Sequence, residues 1–293
     1  MYRNRYQLHS LPFENIPDPR FFYSSEQHRE ALAAIEYTIR MRKGIVLVTG
    51  DVGTGKTTVG RAMLQQFSST CTIAQILHGH QTGSELIHHI ARSLNIESSD
   101  DQSDHATVLE SLKHFLSQRI AYGKPVILFI DEAQTLSDEA LEEIRLISNF
   151  DTNTEKLLQL VLIGQPELRD RIAHENMSAL RQRIVLAKEL DPLSFRDLVG
   201  YVSHRIMVAS LIPDQPAVKF KTEALRHIYR FTNGIPRLIN VICDNALLLG
   251  FVKDADEISA NMVQQVICDM VPTIGQLKTI NDHQPKHLMA GNE

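Results

Sequence analysis

The run Gly50-Asp51-Val52-Gly53-Thr54-Gly55-Lys56-Thr57 has the spacing G-x-x-x-x-G-K-T, and it is set between two different hydrophobic patterns. Before it, Ile45-Val46-Leu47-Val48-Thr49 reads as a buried strand; after it, Thr58 to Phe67 reads as a helix. A glycine-rich turn between strand and helix lets successive backbone N–H groups point into one concavity, and the helix N-terminus adds partial positive charge. The loop therefore predicts a polyphosphate cradle made of Gly50 to Thr57 and the first helical residue Thr58. Lys56 is expected at the β/γ-phosphates and the Thr57 hydroxyl on Mg²⁺.

The rest of the chain fits an open α/β sheet. Further apolar runs of strand length occur at Thr72 to Leu77, Val126 to Ile130, Leu158 to Ile163 and Ile184 to Ala187. Helical patterns start at Ser25 and run from Ser84 to Leu94, and Val108, Leu112, Phe115, Leu116 and Ile120 line the apolar face of another. Unbroken apolar strands alternating with helices predict a parallel sheet covered on both faces. After Leu190-Asp191-Pro192 only helical patterns follow: a helix capped by Ser194 and running to about Ser210, then Thr222 to Thr232, Pro236 to Phe251 and Ser259 to Met270. The expected division is an arm and helix over 1–43 packed on the core, an α/β core over 44–190, a small all-helical lid over 191–272 and a disordered tail over 273–293. The opening segment, rich in proline and aromatics, reads as an extended arm, and the acidic stretch Glu97 to Asp104 as a loop.

Charge and cysteine usage narrow the setting. The net charge is −5, yet Arg181 to Asn240 carries ten Lys/Arg against five Asp/Glu. No basic stripe or reading helix stands out, so duplex DNA is expected to bind weakly if at all. Cys71, Cys243 and Cys268 show no metal-type spacing and read as reduced, mostly buried thiols of a cytoplasmic protein. No stretch reaches the roughly 18 apolar residues of a membrane span, so no direct membrane insertion is expected and contact with the inner membrane would come through a partner.

Three further places carry chemistry. Val126 to Ile130 runs directly into Asp131-Glu132, placing two carboxylates at the C-terminal edge of a sheet, where nucleotide sites of open α/β folds lie. Asp131 is expected to hold Mg²⁺ with Thr57, and Glu132 to orient the attacking water; the plainer alternative is an acidic opening to the next helix. Gln165 ends the strand Leu158 to Ile163 and reads either as a γ-phosphate sensor or as a turn residue before Pro166. Arg181 and Arg183 flank a short strand. One of them, with Arg183 favoured, is expected to serve a neighbouring subunit's nucleotide; otherwise both are a solvated basic edge. Arg237 follows Pro236 at a helix start and is expected to read the nucleotide from the lid.

Together the phosphate loop, Asp131-Glu132, Gln165, Arg181/Arg183 and Gly234-Ile235-Pro236-Arg237 ahead of a helical lid resemble an AAA+ ATPase. Tyr6-Gln7-Leu8 through Leu11-Pro12-Phe13, Pro17 to Tyr23, His28 to Leu32, Arg42 to Gly50, Asp131-Glu132-Ala133-Gln134, Leu146 to Phe150 and Leu162 to Leu168 are similar, more narrowly, to the ATPases of the general secretion pathway A family. That resemblance covers about Met1 to Met270. It implies a P-loop NTPase fold, ATP and Mg²⁺ as ligands, a homo-oligomer in a ring or partial ring, and an envelope secretion, pilus or export apparatus as partner. It also implies base contacts near Tyr23, His28 and Lys43-Gly44. The family's membrane segment and peptidoglycan-binding region have no counterpart in this sequence, so the expectation is the ATPase module alone. The competing expectations are a DNA-associated ATPase of the transposition-regulator type, supported only by the basic excess, and a scaffold that binds ATP and turns it over slowly.

Overall fold

The computed structural model describes residues 1–16, 18–77, 82–96, 104–152, 155–212 and 216–278, with side chains to 270. Most of the expected acidic loop, at 97–103, and the end of the expected tail, at 279–293, lie outside the described residues. The helices are α1 (Tyr2–Arg5), α2 (Glu26–Arg40), α3 (Lys56–Phe67), α4 (Gly83–Ser93), α5 (His105–Ala121), α6 (Asp138–Ile147), α7 (Pro166–Ala173), α8 (Ser178–Arg181), α9 (Phe195–Ala209), α10 (Thr222–Thr232), α11 (Pro236–Val252) and α12 (Ala260–Lys278). The strands are β1 (Ile45–Gly50), β2 (Thr72–Ile76), β3 (Val126–Ile130), β4 (Leu158–Gly164), β5 (Ile184–Leu190), β6 (Lys219–Phe220) and β7 (Glu257–Ile258).

The chain divides into two compact units. One holds Asn15–Asp197 with Ile235–Arg237; the other holds Met1–Glu14, Leu198–Gly234 and Leu238–Glu293. In the first, five parallel strands stand in the order β2-β3-β4-β1-β5. Alternation along each strand splits the core between the two faces. Leu47, Leu128, Ile130, Leu160 and Leu162 pack with residues of α4, α5 and α6. Val46, Val48, Ile127, Phe129, Val161 and Ile163 pack on the other side with residues of α2 and α3. The three central strands β1, β3 and β4 are covered on both faces, which is why they read as continuous apolar runs.

Helix starts follow local chemistry. Ser137 Oγ accepts from the Ala140 N–H at 3.1 Å, and Thr82 with Glu85 forms a reciprocal cap at the head of α4. Gly60 lets α3 lie close on the sheet: a Cβ there would sit 2.5 Å from the Phe129 ring.

The second unit is helical, with one small addition that the hydrophobic pattern did not announce. Strands β6 and β7, two residues each, pair in parallel; they are too short to show any alternation. Its other departure concerns the opening of the chain. The first fourteen residues were expected as an extended arm on the sheet unit, but they group with the C-terminal helices. Their start is the short helix α1, and Tyr6 and Phe13 are buried. The Tyr2 hydroxyl donates to Asp244, the Tyr6 hydroxyl to the Ala255 carbonyl at 3.0 Å, and the Arg205 guanidinium to the carbonyls of Pro12 and Glu14. The physical reason lies in the tyrosines: their rings need an apolar bed and their hydroxyls a polar partner, and the helical unit offers both. Helix α12 continues to Lys278, past the expected end at Met270.

The division falls between Asp197 and Leu198, inside α9, rather than at residue 190. Of the three cysteines, Cys243 is buried, Cys71 partly so and Cys268 exposed; none is in a disulfide.

Candidate nucleotide site

The site is built on the C-terminal edge of the sheet. The phosphate loop leaves β1, Asp131-Glu132 leave β3, and Gln165 leaves β4, the strand interposed between those two. Register sets their heights: Thr49 of β1 is opposite Gly164 of β4, and Ile130 of β3 is opposite Leu162. Carboxylates, amide and loop therefore emerge side by side.

In the loop, Gly53 and Gly55 have φ of +85° and +102°, a conformation that costs other residues steric strain. Space forbids side chains there as well. A Cβ on Gly53 would lie 2.9 Å from Arg237 Cβ, and one on Gly55 would lie 2.8 Å from His28 Nε2. Lys56 Nζ donates to the Gly50 and Asp51 carbonyls at 2.7 and 2.8 Å. The Thr57 hydroxyl donates to Asp131 Oδ2 at 3.1 Å. Burial pushes the Lys56 ammonium down, opposed by the nearby carboxylates of Glu132, Asp131 and Asp51. Burial likewise pushes the Asp131 carboxyl up, opposed by hydrogen bonds from the Glu132 N–H and the Thr57 hydroxyl. An anion beside Lys56 and a cation beside Asp131 would each favour the charged form.

That donor set fits the ligands expected of it. A hydroxyl and a carboxylate in contact are hard oxygen donors of the kind Mg²⁺ takes, and Mg²⁺ is commonly completed by water and substrate phosphates. Among the described residues no group of three or more His, Cys, Asp or Glu side chains forms a self-sufficient metal site.

Glu132 stands in the left-handed region, φ +52° and ψ +38°, unusual for a residue with a side chain. Its Oε2 accepts from Gln134 Nε2 at 2.6 Å and is approached by Gln165 Nε2 at 3.5 Å. Arg171 of α7 holds the same loop from below, donating to the carbonyls of Gln134 and Leu136 and to Asp138 Oδ1. A 540 Å³ pocket lined by Asp138, Arg171, His174 and Met177 adjoins this loop and contains no phosphate-loop residue. Arg171 carries no signal of this role in sequence, because its partners are set by tertiary contact; Gln134 entered only as part of the run Asp131-Glu132-Ala133-Gln134, with no role of its own.

The remaining expected residues divide. Arg237 is at the loop: its N–H donates to the Gly53 carbonyl at 3.3 Å, and its side chain is exposed. Arg181 and Arg183 are elsewhere. Arg181 is the last residue of α8, and Arg183 precedes Ile184, which pairs with Ile45 at the start of β1; both arginines are exposed. The phosphate loop follows the other end of β1, five steps away, or roughly 16 Å along the strand.

Two of the three expected base contacts also move. Gly44 lies at the start of β1, its N–H donating to Gln159 Oε1 at 3.0 Å, so Lys43-Gly44 is at the wrong edge of the sheet for the loop's ligand. His28 sits under the loop with both ring nitrogens engaged: Nε2 donates to the Thr54 carbonyl at 3.2 Å and Nδ1 meets Ser25 Oγ at 2.5 Å. It braces the loop backbone. Tyr23 is half-buried, near Arg29, Arg196 and Asp197.

Comparison with known proteins agrees with this geometry. Residues 39–172 match the model of an AAA domain. General secretion pathway protein A of Aeromonas hydrophila is 40% identical over 258 residues, which are 88% of this chain and 46% of that protein. The chain thus spans about half the length of that relative. Among solved structures, Cdc6p from Pyrobaculum aerophilum superposes with a TM-score of 0.63 at 18% identity, over 87% of this chain and 71% of that one. The Aeropyrum pernix ORC2 protein, solved as ADPNP–ADP complexes, gives 0.61 at 14% identity over 90% and 72%. At these identities the superpositions speak for the fold alone. Strand order, phosphate loop, matched domain and sequence relative agree: the chain has the fold of an AAA+ P-loop NTPase, carries an AAA domain over residues 39–172 and is similar over most of its length to general secretion pathway protein A.

Proposed function

We propose that the protein binds MgATP and hydrolyses it, acting as an oligomer in the service of a cell-envelope secretion, pilus or export apparatus. The observation that carries the hydrolytic part is the Glu132 carboxylate. It is held by amides at the sheet edge, directly after Asp131 in the sequence, and lies close enough to the Lys56 ammonium to oppose the effect of its burial. In this reading the loop N–H groups, Lys56 and Thr58 bind the polyphosphate. Thr57 and Asp131 hold Mg²⁺, which supplies positive charge to the phosphate oxygens. Glu132 orients and polarises water, Gln165 senses the γ-phosphate, and Arg237 reads the bound nucleotide. Phosphoryl transfer asks mainly for positioning and charge stabilisation, which this set of groups can provide.

Lys56→Ala should abolish binding of a labelled ATP analogue, whereas Glu132→Gln should keep binding and lose turnover. Undiminished hydrolysis by the Glu132→Gln protein would remove that residue from the mechanism. The oligomeric part rests on Arg181 and Arg183, which lie too far from their own loop to serve it and are exposed for a neighbour. The envelope process rests on the sequence relative and would be tested by co-purification of the protein with envelope components.

DNA binding is the second reading. Lys219, Lys221, Arg226 and Arg230 are exposed on and beside α10, but Lys221 pairs with Glu257 and Arg226 with Glu223. Duplex affinity should be weak and fall steeply with salt. A nanomolar dissociation constant at physiological salt would promote this reading over the first.

A further inference from the structure

Gln134 occupies a position that the hydrolytic reading does not itself demand. Its side-chain amide spans two strand ends. Nε2 donates to Glu132 Oε2 at 2.6 Å, and Oε1 accepts the Gln165 backbone N–H at 3.0 Å. The amide orientation follows from chemistry: an ionised carboxylate only accepts and a backbone N–H only donates, so nitrogen and oxygen have one consistent assignment. Room for it is built in. A Cβ on Gly164, the last residue of β4, would lie 3.1 Å from Gln134 Oε1 and 3.3 Å from Gln134 N. The backbone of Gln134 is itself pinned, because Arg171 donates to its carbonyl at 2.9 Å.

Resting on the hydrolytic reading above, we infer that Gln134 is a positioning residue. It sets the rotamer of Glu132 and ties that carboxylate to Gln165 at the end of β4. The need for it is physical. Glu132 has a left-handed backbone, so its side chain leaves the strand in a direction that packing on the sheet does not determine. A carboxylate on a flexible stem must lose rotamer freedom before it can aim a water. A single charge-assisted hydrogen bond from a pinned amide supplies that order. The same amide makes the height of Gln165 and the aim of Glu132 one mechanical quantity. A shift of the β4 end, such as a γ-phosphate contact at Gln165 would produce, therefore reaches the carboxylate through Gln134.

The test compares parent, Gln134→Ala and Gln134→Glu in full-length protein. It measures kcat and KM with MgATP and the equilibrium affinity for a labelled ATP analogue. Loss of one hydrogen bond to a charged group should lower kcat about 10- to 100-fold in Gln134→Ala. KM and nucleotide affinity should stay within about threefold of the parent, since the phosphate ligands are untouched. Gln134→Glu keeps the shape but replaces the donor by a second carboxylate, so it should be at least as impaired. If Gln134→Glu restored the rate, the side chain would be only a filler. A Gln134→Ala kcat within about twofold of the parent, or a fall in affinity matching the fall in kcat, would also overturn the inference. A parent that binds ATP but never turns it over would instead sink the hydrolytic reading, and this inference with it; the parent's own kcat separates the two failures.

Discussion

His28 shows how a residue can belong to a nucleotide site without touching the nucleotide. Burial pushes its imidazole below the ordinary value of 6.5, against smaller opposing effects of the Thr54 carbonyl and Asp197. The neutral ring is the folded form: Nε2–H goes to a carbonyl that can only accept, and Nδ1 faces the Ser25 hydroxyl. The sign follows. A base with a depressed folded pKa contributes stability that is present above 6.5 and lost as the pH falls towards the folded value, because the unfolded chain takes up the proton first. Between about pH 7 and pH 5 the parent should lose thermal stability and ATP affinity more steeply than His28→Gln, whose side chain cannot charge. Parallel pH profiles for the two proteins would show that His28 does not govern the loop. At this scale the legible residues were those whose chemistry is contiguous, such as Lys56-Thr57 and Asp131-Glu132. His28 resembles a base-contacting residue from its neighbours alone, and only the three-dimensional approach to Thr54 and Gly55 identifies it as a brace. Arg171 was hidden for the same reason.

Elements were easier to foresee than their ends. Strand-length apolar runs marked the sheet, and the starts of β1, β2, β3, β4 and β5 agree with the runs that predicted them. Where polarity enters, the pattern stops short. Strand β5 was expected to end at Ala187 but continues through Lys188 and Glu189 to Leu190, because an edge strand tolerates charged side chains. Lys188 pairs with Glu30 of α2, and Glu189 with Arg169 of α7. The seat of α3 rests on one small residue. Gly60→Val would drive a branched side chain into Phe129 and Ile163, and overpacking of this kind costs about 1–3 kcal/mol. Since α3 begins at Lys56, lifting it also moves the phosphate ligands. The thermal midpoint should therefore fall together with ATP affinity; unchanged affinity in a destabilised Gly60→Val protein would uncouple the loop from the seating of its helix.

For the whole molecule, if one of Arg181 and Arg183 serves a neighbouring subunit's nucleotide, as proposed, activity is a property of more than one chain. Specific activity should rise with protein concentration and saturate. A mixture of Arg181→Ala/Arg183→Ala and Glu132→Gln subunits should recover turnover, because each supplies what the other lacks at a shared interface. Loss of such an arginine can cost on the order of 10³ in rate, so recovery would be plain. Activity per subunit that stays flat on dilution, with a mixture that stays inactive, would return the two arginines to a solvated edge.

The opening fourteen residues carry a different consequence, one for dissection of the gene. The helical unit is not contiguous in sequence, and Tyr6, Leu8 and Phe13 are part of its interior. A fragment cut at the sequence-based boundary near residue 191 would expose the beds of those side chains and leave Arg205 facing water where the Pro12 and Glu14 carbonyls had been. Such a fragment should aggregate or fold loosely, and the Met1–Glu14 peptide added in trans, or fused downstream of Lys278, should rescue it.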